Sequence, residues 1–259
     1  MIMTAQNSPR RALVTGAGAR LGQAIATELG AAGFEVAIHY RSSAAGAEET
    51  LRAVQAAGGR GWLCSGDLTD PEARAAICAA IEERWDGLEL LVHNASSFYA
   101  DPIEQVSPEG LREMFQVHYE APFFITQRLL PLLRAARPLP MSPSPAECAL
   151  IVSICDVAAE RPIKGYLPYT SSKAALLALT RGWAVELAPT IRAVALSPAL
   201  NTWPEDFPEE SKEYLLRRVP QGRVGVPMEL ARLVRFVATE GSYLNGIQIP
   251  LDGGFTLSY

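Results

Sequence analysis

The stretch Arg11-Ala-Leu-Val-Thr15-Gly16-Ala-Gly-Ala-Arg20-Leu21-Gly22 decides the fold. Residues 11–15 are a short apolar run that reads as a buried strand, and a helix is expected from Gln23 to about Ala32. A strand, a glycine-rich turn and a helix in that order make a phosphate cradle. Glycines let the backbone approach a pyrophosphate, and the helix N-terminus supplies N–H donors and the positive end of a dipole. The spacing here is G-x-G-x-x-x-G, which a tight turn alone could also produce. Its weight comes from its position, at the first strand-to-helix turn of an alternating chain.

That alternation continues outward. Strand 34–39, helix 44–57 closed by Gly58-Gly59, strand 61–65, a helix opening at Thr69-Asp70-Pro71-Glu72 and strand 88–93 follow one another. This is the pattern of a parallel, doubly wound α/β sheet. A long helix is expected from Ser107 to about Arg134, kinked at Pro122 and Pro131, and 137–145 reads as a Pro/Ser-rich surface loop. Strand 149–155, helix 168–188, strand 191–196, helix 227–239 and strand 246–251 complete a single domain over 1–259. The polar residues 204–222, helical over 209–219, read as a lid over the strand ends, within a lid region around 200–222.

The chemistry concentrates in 156–173. Tyr169 and Lys173 stand four apart on one face of the expected helix, and a nearby ammonium favours phenolate, so the Tyr pKa is expected to fall. Such pairs are common as surface decoration; context raises this one. Asp156 ends the apolar run 149–155, at a strand C-terminus, where open α/β sheets place their chemistry. At the end of the second strand an NAD site would carry a carboxylate, but the chain reads His39-Tyr40-Arg41-Ser42-Ser43. Arg41 and Ser42 suit a 2′-phosphate, and Arg20 adds positive charge, so NADP(H) is the expected cofactor. A solvated loop residue is the plainer reading of Arg41.

The 259 residues carry a net charge of −5, with 49% apolar and 20% charged residues, which gives no electrostatic footprint for nucleic acid or an anionic membrane. Cys64, Cys78, Cys148 and Cys155 lack C-x-x-C spacing and read as reduced thiols of a cytoplasmic protein; no metal site, signal peptide or membrane span is expected.

Taken in order, Thr15-Gly16-x-x-x-Arg20-x-Gly22, Asp67-Leu68, Asn94-Ala95, Tyr169-x-x-x-Lys173, Ser197-Pro198 and Asp252-Gly253-Gly254 resemble the short-chain dehydrogenase/reductases along nearly the whole chain. The resemblance implies a Rossmann fold with strand order 3-2-1-4-5-6-7, usually in a homotetramer. It implies Asp67 and Leu68 at the adenine, and Gly16, Arg20, Leu21, His39, Tyr40, Arg41, Ser42, Asn94, Ala95, Ser96 and Ser197 along the cofactor. Tyr169 would be the proton donor, and Lys173 would hold the nicotinamide ribose. Three departures are similar to one branch, the pteridine and bacterial dihydromonapterin reductases: Arg20 for the third loop glycine, Asp156 for the catalytic Ser, and His93-Asn-Ala-Ser-Ser-Phe98 for N-N-A-G. That branch implies a pterin-like substrate held by Arg20, Ser96, Phe98, Asp156 and Tyr169, with Phe98 stacked on it. Phe98 as core and Asp156 as a loop cap are the plain alternatives. His118 stands where most of the family has an Asn that helps hold the Lys.

The expected activity is NADPH-dependent reduction of a dihydropterin. A carbonyl-reducing member acting on a 3-oxoacyl thioester or small ketone is the alternative; an ionised Asp156 argues against it by repelling a developing alkoxide. A non-catalytic NADP-binding scaffold is the third reading, and the intact Tyr169 and Lys173 argue against it.

Overall fold

Residues 8–138, 146–201 and 209–258 are described by a computed structural model. Seven parallel strands form one sheet in the order β3-β2-β1-β4-β5-β6-β7, as expected. The strands are β1 (Arg10–Val14), β2 (Phe34–Tyr40), β3 (Arg60–Ser65), β4 (Leu90–His93), β5 (Ala149–Ile154), β6 (Ile191–Pro198) and β7 (Gln248–Leu251). Between them run α1 (Arg20–Ala31), α2 (Ala44–Ala56), α3 (Pro71–Arg84), α4 (Pro108–Phe115), α5 (Ala121–Arg134), α6 (Leu167–Glu186), α7 (Glu209–Arg217) and α8 (Pro227–Thr239).

Period-two alternation explains why both sheet faces are covered. Ala12 and Val14 point to one face, where Ile25 and Leu29 of α1 and Leu230 and Val234 of α8 pack. Leu13 and Leu91 point to the other, against Ile77 and Ile81 of α3 and Ile125 and Leu129 of α5. Each fully buried Leu or Ile contributes roughly 1.5–3 kcal/mol, so the two layers supply most of the driving force. The helix starts are set locally. Asp70 accepts from Glu72 N at 2.9 Å, and Ser107 accepts from Gly110 N at 3.0 Å, each followed by a proline in the first turn. The charge pairs that lie deepest, Arg192 with Glu147 and Arg137 with Glu89, stand at the N-terminal ends of the strands. The C-terminal ends lead into the loops after β1, β4 and β5, where open α/β sheets place ligands.

The helix expected over 107–134 is broken once, in a place the prolines only partly indicated. Residues Gln116–Glu120 form a π-turn between α4 and α5, with Ala121 N bonded to Gln116 O. Pro122 has no N–H to give the His118 carbonyl, and the break falls in the turn before it. Pro131, by contrast, lies within α5 without ending it. The helix read over 209–219 is present as α7, ending at Arg217; residues 202–208 of the expected lid region and most of the 137–145 loop lie outside the described residues.

Candidate active site

The glycine turn after β1 is held by close backbone approach and by three polar side chains. Gly16 has φ +65°, and a Cβ there would stand 2.8 Å from Ala95 Cα. A Cβ on Gly22 would stand 2.6 Å from Asn94 Nδ2 and press on the Gly16 carbonyl oxygen. Thr15 Oγ1 accepts from Asn94 N at 2.9 Å and Ala95 N at 3.1 Å while donating to Val92 O at 3.2 Å. Asn94 Nδ2 donates to Thr15 O at 2.8 Å and Gly16 O at 3.0 Å. His39 Nδ1 accepts from Gly16 N at 3.1 Å, which leaves Nε2 to donate to Gly66 O at 3.0 Å. Burial pushes the His39 pKa down and keeps the ring neutral. The His39 ring therefore braces the turn from behind, with both nitrogens used by the backbone, where the sequence had placed it along the cofactor.

Around this cradle the expected cofactor residues fall into two groups. Arg20, Arg41 and Ser42 are exposed, and Arg41 Nη1 lies 3.9 Å from Asp67 Oδ2. Arg20 has φ +50°, the left-handed region where glycine is favoured, in the very place where the family pattern has one. Leu21, Leu68 and Tyr40 pack inward against the core or the turn, and Ser197 is wholly buried, its hydroxyl accepting from Gln248 Nε2 at 3.0 Å. A turn with no room for a Cβ at Gly16 or Gly22, the N-terminus of α1, and Arg41 and Ser42 at the end of β2 fit a dinucleotide.

The catalytic candidates meet at the ends of β5 and α6. Asp156 Oδ1 accepts from Ala158 N at 2.7 Å, capping a short 3-10 turn, and Oδ2 accepts from the Tyr169 hydroxyl at 2.7 Å. The cap reading and the catalytic reading of Asp156 are thus both present in one carboxylate. Lys173 is buried, and its Nζ donates to Ile154 O at 3.0 Å and lies 5.7 Å from the Tyr169 ring centroid. The expected fall of the Tyr169 pKa is overturned. Burial first, and then the Asp156 carboxylate, push the phenol well above its ordinary value. Burial also lowers the Lys173 ammonium, and its hydrogen bond goes to a carbonyl rather than to the phenol. Asp156 itself is raised, mainly by burial. The result is a carboxyl and a phenol in direct contact, both biased toward holding protons.

Ser96 and Phe98 come from the loop after β4. Phe98 is 49% exposed, stacked on Tyr166 at 4.8 Å and edge-on to Tyr169 at 4.8 Å. It is no core residue, and it presents an aromatic surface next to the Tyr169 phenol. The sequence reading missed Tyr166, although Tyr166 and Tyr169 stand three apart astride the helix start, a signal that was available. It also missed Glu113 of α4, whose carboxylate accepts from Ser97 Oγ at 3.1 Å and Tyr99 Oη at 3.4 Å. His118 lies in the π-turn, wholly buried, between Ser96 Oγ at 2.8 Å and Ser172 Oγ at 2.8 Å. No cluster of metal-ligating side chains occurs among the described residues.

The family described as enoyl-(acyl carrier protein) reductase matches residues 16–256, and the chain belongs to the short-chain dehydrogenase/reductases. Pteridine reductase 1 of Leishmania tarentolae is 33% identical over 99% of this chain and 99% of its own. The 3-oxoacyl-[acyl-carrier-protein] reductase FabG of Pseudomonas aeruginosa is 31% identical over 95% and 97%. Dihydromonapterin reductase of Klebsiella pneumoniae is 28% identical over 96% and 98%. Among solved structures, the angucycline C-6 ketoreductase LanV with bound NADP superposes with a TM-score of 0.85 at 28% identity, covering 96% of each chain. The protein is an oxidoreductase of this family.

Proposed function

We propose that the protein is an NADPH-dependent reductase of a 7,8-dihydropterin. The observation that carries the reading is the Tyr169 hydroxyl bonded at 2.7 Å to Asp156, where a ketone reductase of this family has a Ser. Reducing the N5=C6 bond of a dihydropterin adds hydride at C6 and a proton at N5. NADPH, when bound, supplies the hydride; the protein's own task is to deliver the proton and hold the ring. When Asp156 carries a proton, its carboxyl donates to the phenol oxygen, and the phenol proton passes to N5. Asp156 is part-buried at the end of β5, and in this reading the proton it gives up is restored from solvent. Protonating nitrogen leaves no oxyanion for the carboxylate to repel, whereas reducing a ketone would. The exposed Phe98 face gives the flat ring a stacking surface, and the relationship to Pteridine reductase 1 of Leishmania tarentolae supports the same substrate class.

NADP(H) in preference to NAD(H) is supported by exposed Arg41 and Ser42 with no carboxylate at the end of β2. A homotetrameric, cytoplasmic enzyme completes the reading; exposed Phe124, Val185 and Leu257 are the apolar surface that subunit contacts would cover.

The test is NADPH consumption by purified protein given 7,8-dihydromonapterin, 7,8-dihydrofolate and acetoacetyl thioester in parallel. Turnover of a dihydropterin without the thioester is the expected result. Turnover of the thioester alone overturns the pterin reading and makes Asp156 compatible with ketone reduction.

A further inference from the structure

His118 is a buried polar side chain with no part in the proton delivery from Tyr169. Its protonation pattern can be worked out from its neighbours. The Ser172 hydroxyl donates its one proton to Tyr169 O at 2.8 Å, so it must accept from His118 Nδ1. Nδ1 therefore carries a hydrogen, and the ring is neutral, because burial and then the nearby Lys173 charge hold its pKa well below the ordinary value. Nε2 is then an acceptor. Ser97 N–H, which can only donate, points at it from 3.3 Å, and Ser96 Oγ stands 2.8 Å away. Nε2 has one lone pair, shared with the longer Ser97 N–H; the alternative acceptor for the Ser96 hydroxyl, Ser97 O, lies at 3.5 Å against 2.8 Å to Nε2, so the Ser96 proton goes to Nε2 and its exposed oxygen presents lone pairs.

We propose that His118 is a positioning residue that fixes Ser96 as an obligate hydrogen-bond acceptor toward the bound substrate, and so selects a substrate edge that presents N–H donors. This rests on the site assignment proposed above and deepens it. An aminopyrimidinone carries ring and amino N–H groups, whereas the reacting portion of a 3-oxoacyl thioester presents only acceptors. The same ring ties the Ser96 loop to α6 through Ser172, one residue before Lys173, so the substrate loop and the catalytic helix share one strut.

The chain has three histidines, His39, His93 and His118, so imidazole nitrogen NMR of histidine-labelled protein reads each ring directly. The geometry requires opposite neutral tautomers in one molecule, Nε2–H at His39 and Nδ1–H at His118. Finding His118 as Nε2–H, or charged at neutral pH, overturns the proposal without reference to any substrate. The second arm is kinetic. In His118→Gln the amide oxygen reaches the place of Nε2 and still accepts from Ser96; in His118→Asn the shorter amide replaces only the Ser172 bond. His118→Gln is expected to keep KM for the dihydropterin within about threefold, and His118→Asn and Ser96→Ala each to raise it about tenfold, the value of one hydrogen bond to substrate. Equal behaviour of Gln and Asn overturns the proposal. If the wild type reduces the thioester instead, the pterin reading falls, and the tautomers still decide whether His118 orients Ser96.

Discussion

Replacing Asp156 by Asn tests the proton pair most directly, because it keeps the shape and removes the charge. The carboxylate faces two donors, Ala158 N and the Tyr169 hydroxyl, each at 2.7 Å. An Asn has one oxygen to offer. The Ala158 N–H can only donate, so it takes that oxygen, and the amide NH₂ turns toward Tyr169. The phenol then accepts where it formerly donated, and the relay can no longer return a proton to it. A hydrogen bond to a charged partner is worth about 1.5–3 kcal/mol, and a factor of ten costs about 1.4 kcal/mol, so kcat for the dihydropterin is expected to fall roughly 10- to 100-fold. Stability is expected to move the other way. Burial raises the Asp156 pKa above the ordinary 3.8, so between that value and the folded one the native state keeps a proton that the unfolded state has lost. Stability therefore falls as pH rises through that window, and the ionised carboxylate is a cost at neutral pH. Asp156→Asn should melt at or above the wild-type temperature at neutral pH while losing rate. Stopped-flow NADPH oxidation beside a calorimetric melt reads both. Wild-type kcat in a well-folded Asn variant would refute the relay; a sharply lowered melting temperature would refute the stability argument.

Arg20→Gly should relieve the left-handed backbone at φ +50° and raise stability by about 1 kcal/mol, while KM for NADPH rises; a destabilised Gly variant would show that Arg20 is not strained. Gly22→Ala should cost at least about 2 kcal/mol in urea unfolding and abolish dinucleotide binding, because the new methyl meets Asn94 Nδ2 at 2.6 Å inside the cradle. Acid should weaken the fold through His93, whose pKa burial lowers to about 3. Below the ordinary value of about 6.5 the unfolded state gains a proton that the folded state refuses, so roughly 2 kcal/mol is lost by about pH 5. The unfolding free energy of His93→Gln should fall less steeply over that range, and parallel slopes would remove His93 from the account.

The features legible in the chain were those written in local spacing. The glycine turn at 16–22 and the strand–helix alternation gave the sheet, and Tyr169, Lys173 and Asp156 gave the centre of the site, because each depends on neighbours in sequence or on a fixed helical offset. The failures all involve partners far apart in the chain. Four-residue spacing correctly put Tyr169 and Lys173 on one face, yet it said nothing about Ile154 O, which takes the ammonium, or about the burial that lifts the phenol pKa instead of lowering it. Pro122 signalled a break in the 107–134 helix, but not that the break would be a π-turn bringing His118 against Ser96 and Ser172, residues 22 and 54 positions away.

His39 and His118 do the same work on two sides of the site. Each is a buried neutral ring with one nitrogen accepting from a loop backbone N–H, Gly16 in the glycine turn and Ser97 in the loop after β4. Each passes its remaining hydrogen to a neighbouring element, Gly66 O after β3 for one and Ser172 in α6 for the other. A neutral imidazole suits this role because it offers one donor and one acceptor about 2 Å apart in a rigid ring, whereas a lysine or arginine could only donate. Gly16 and Ser96 can therefore stand at the surface of their loops with little bulk of their own. The polar residues that fix their position lie one layer behind, so the sequence could single out His39 and His118 without showing which backbone groups each one holds.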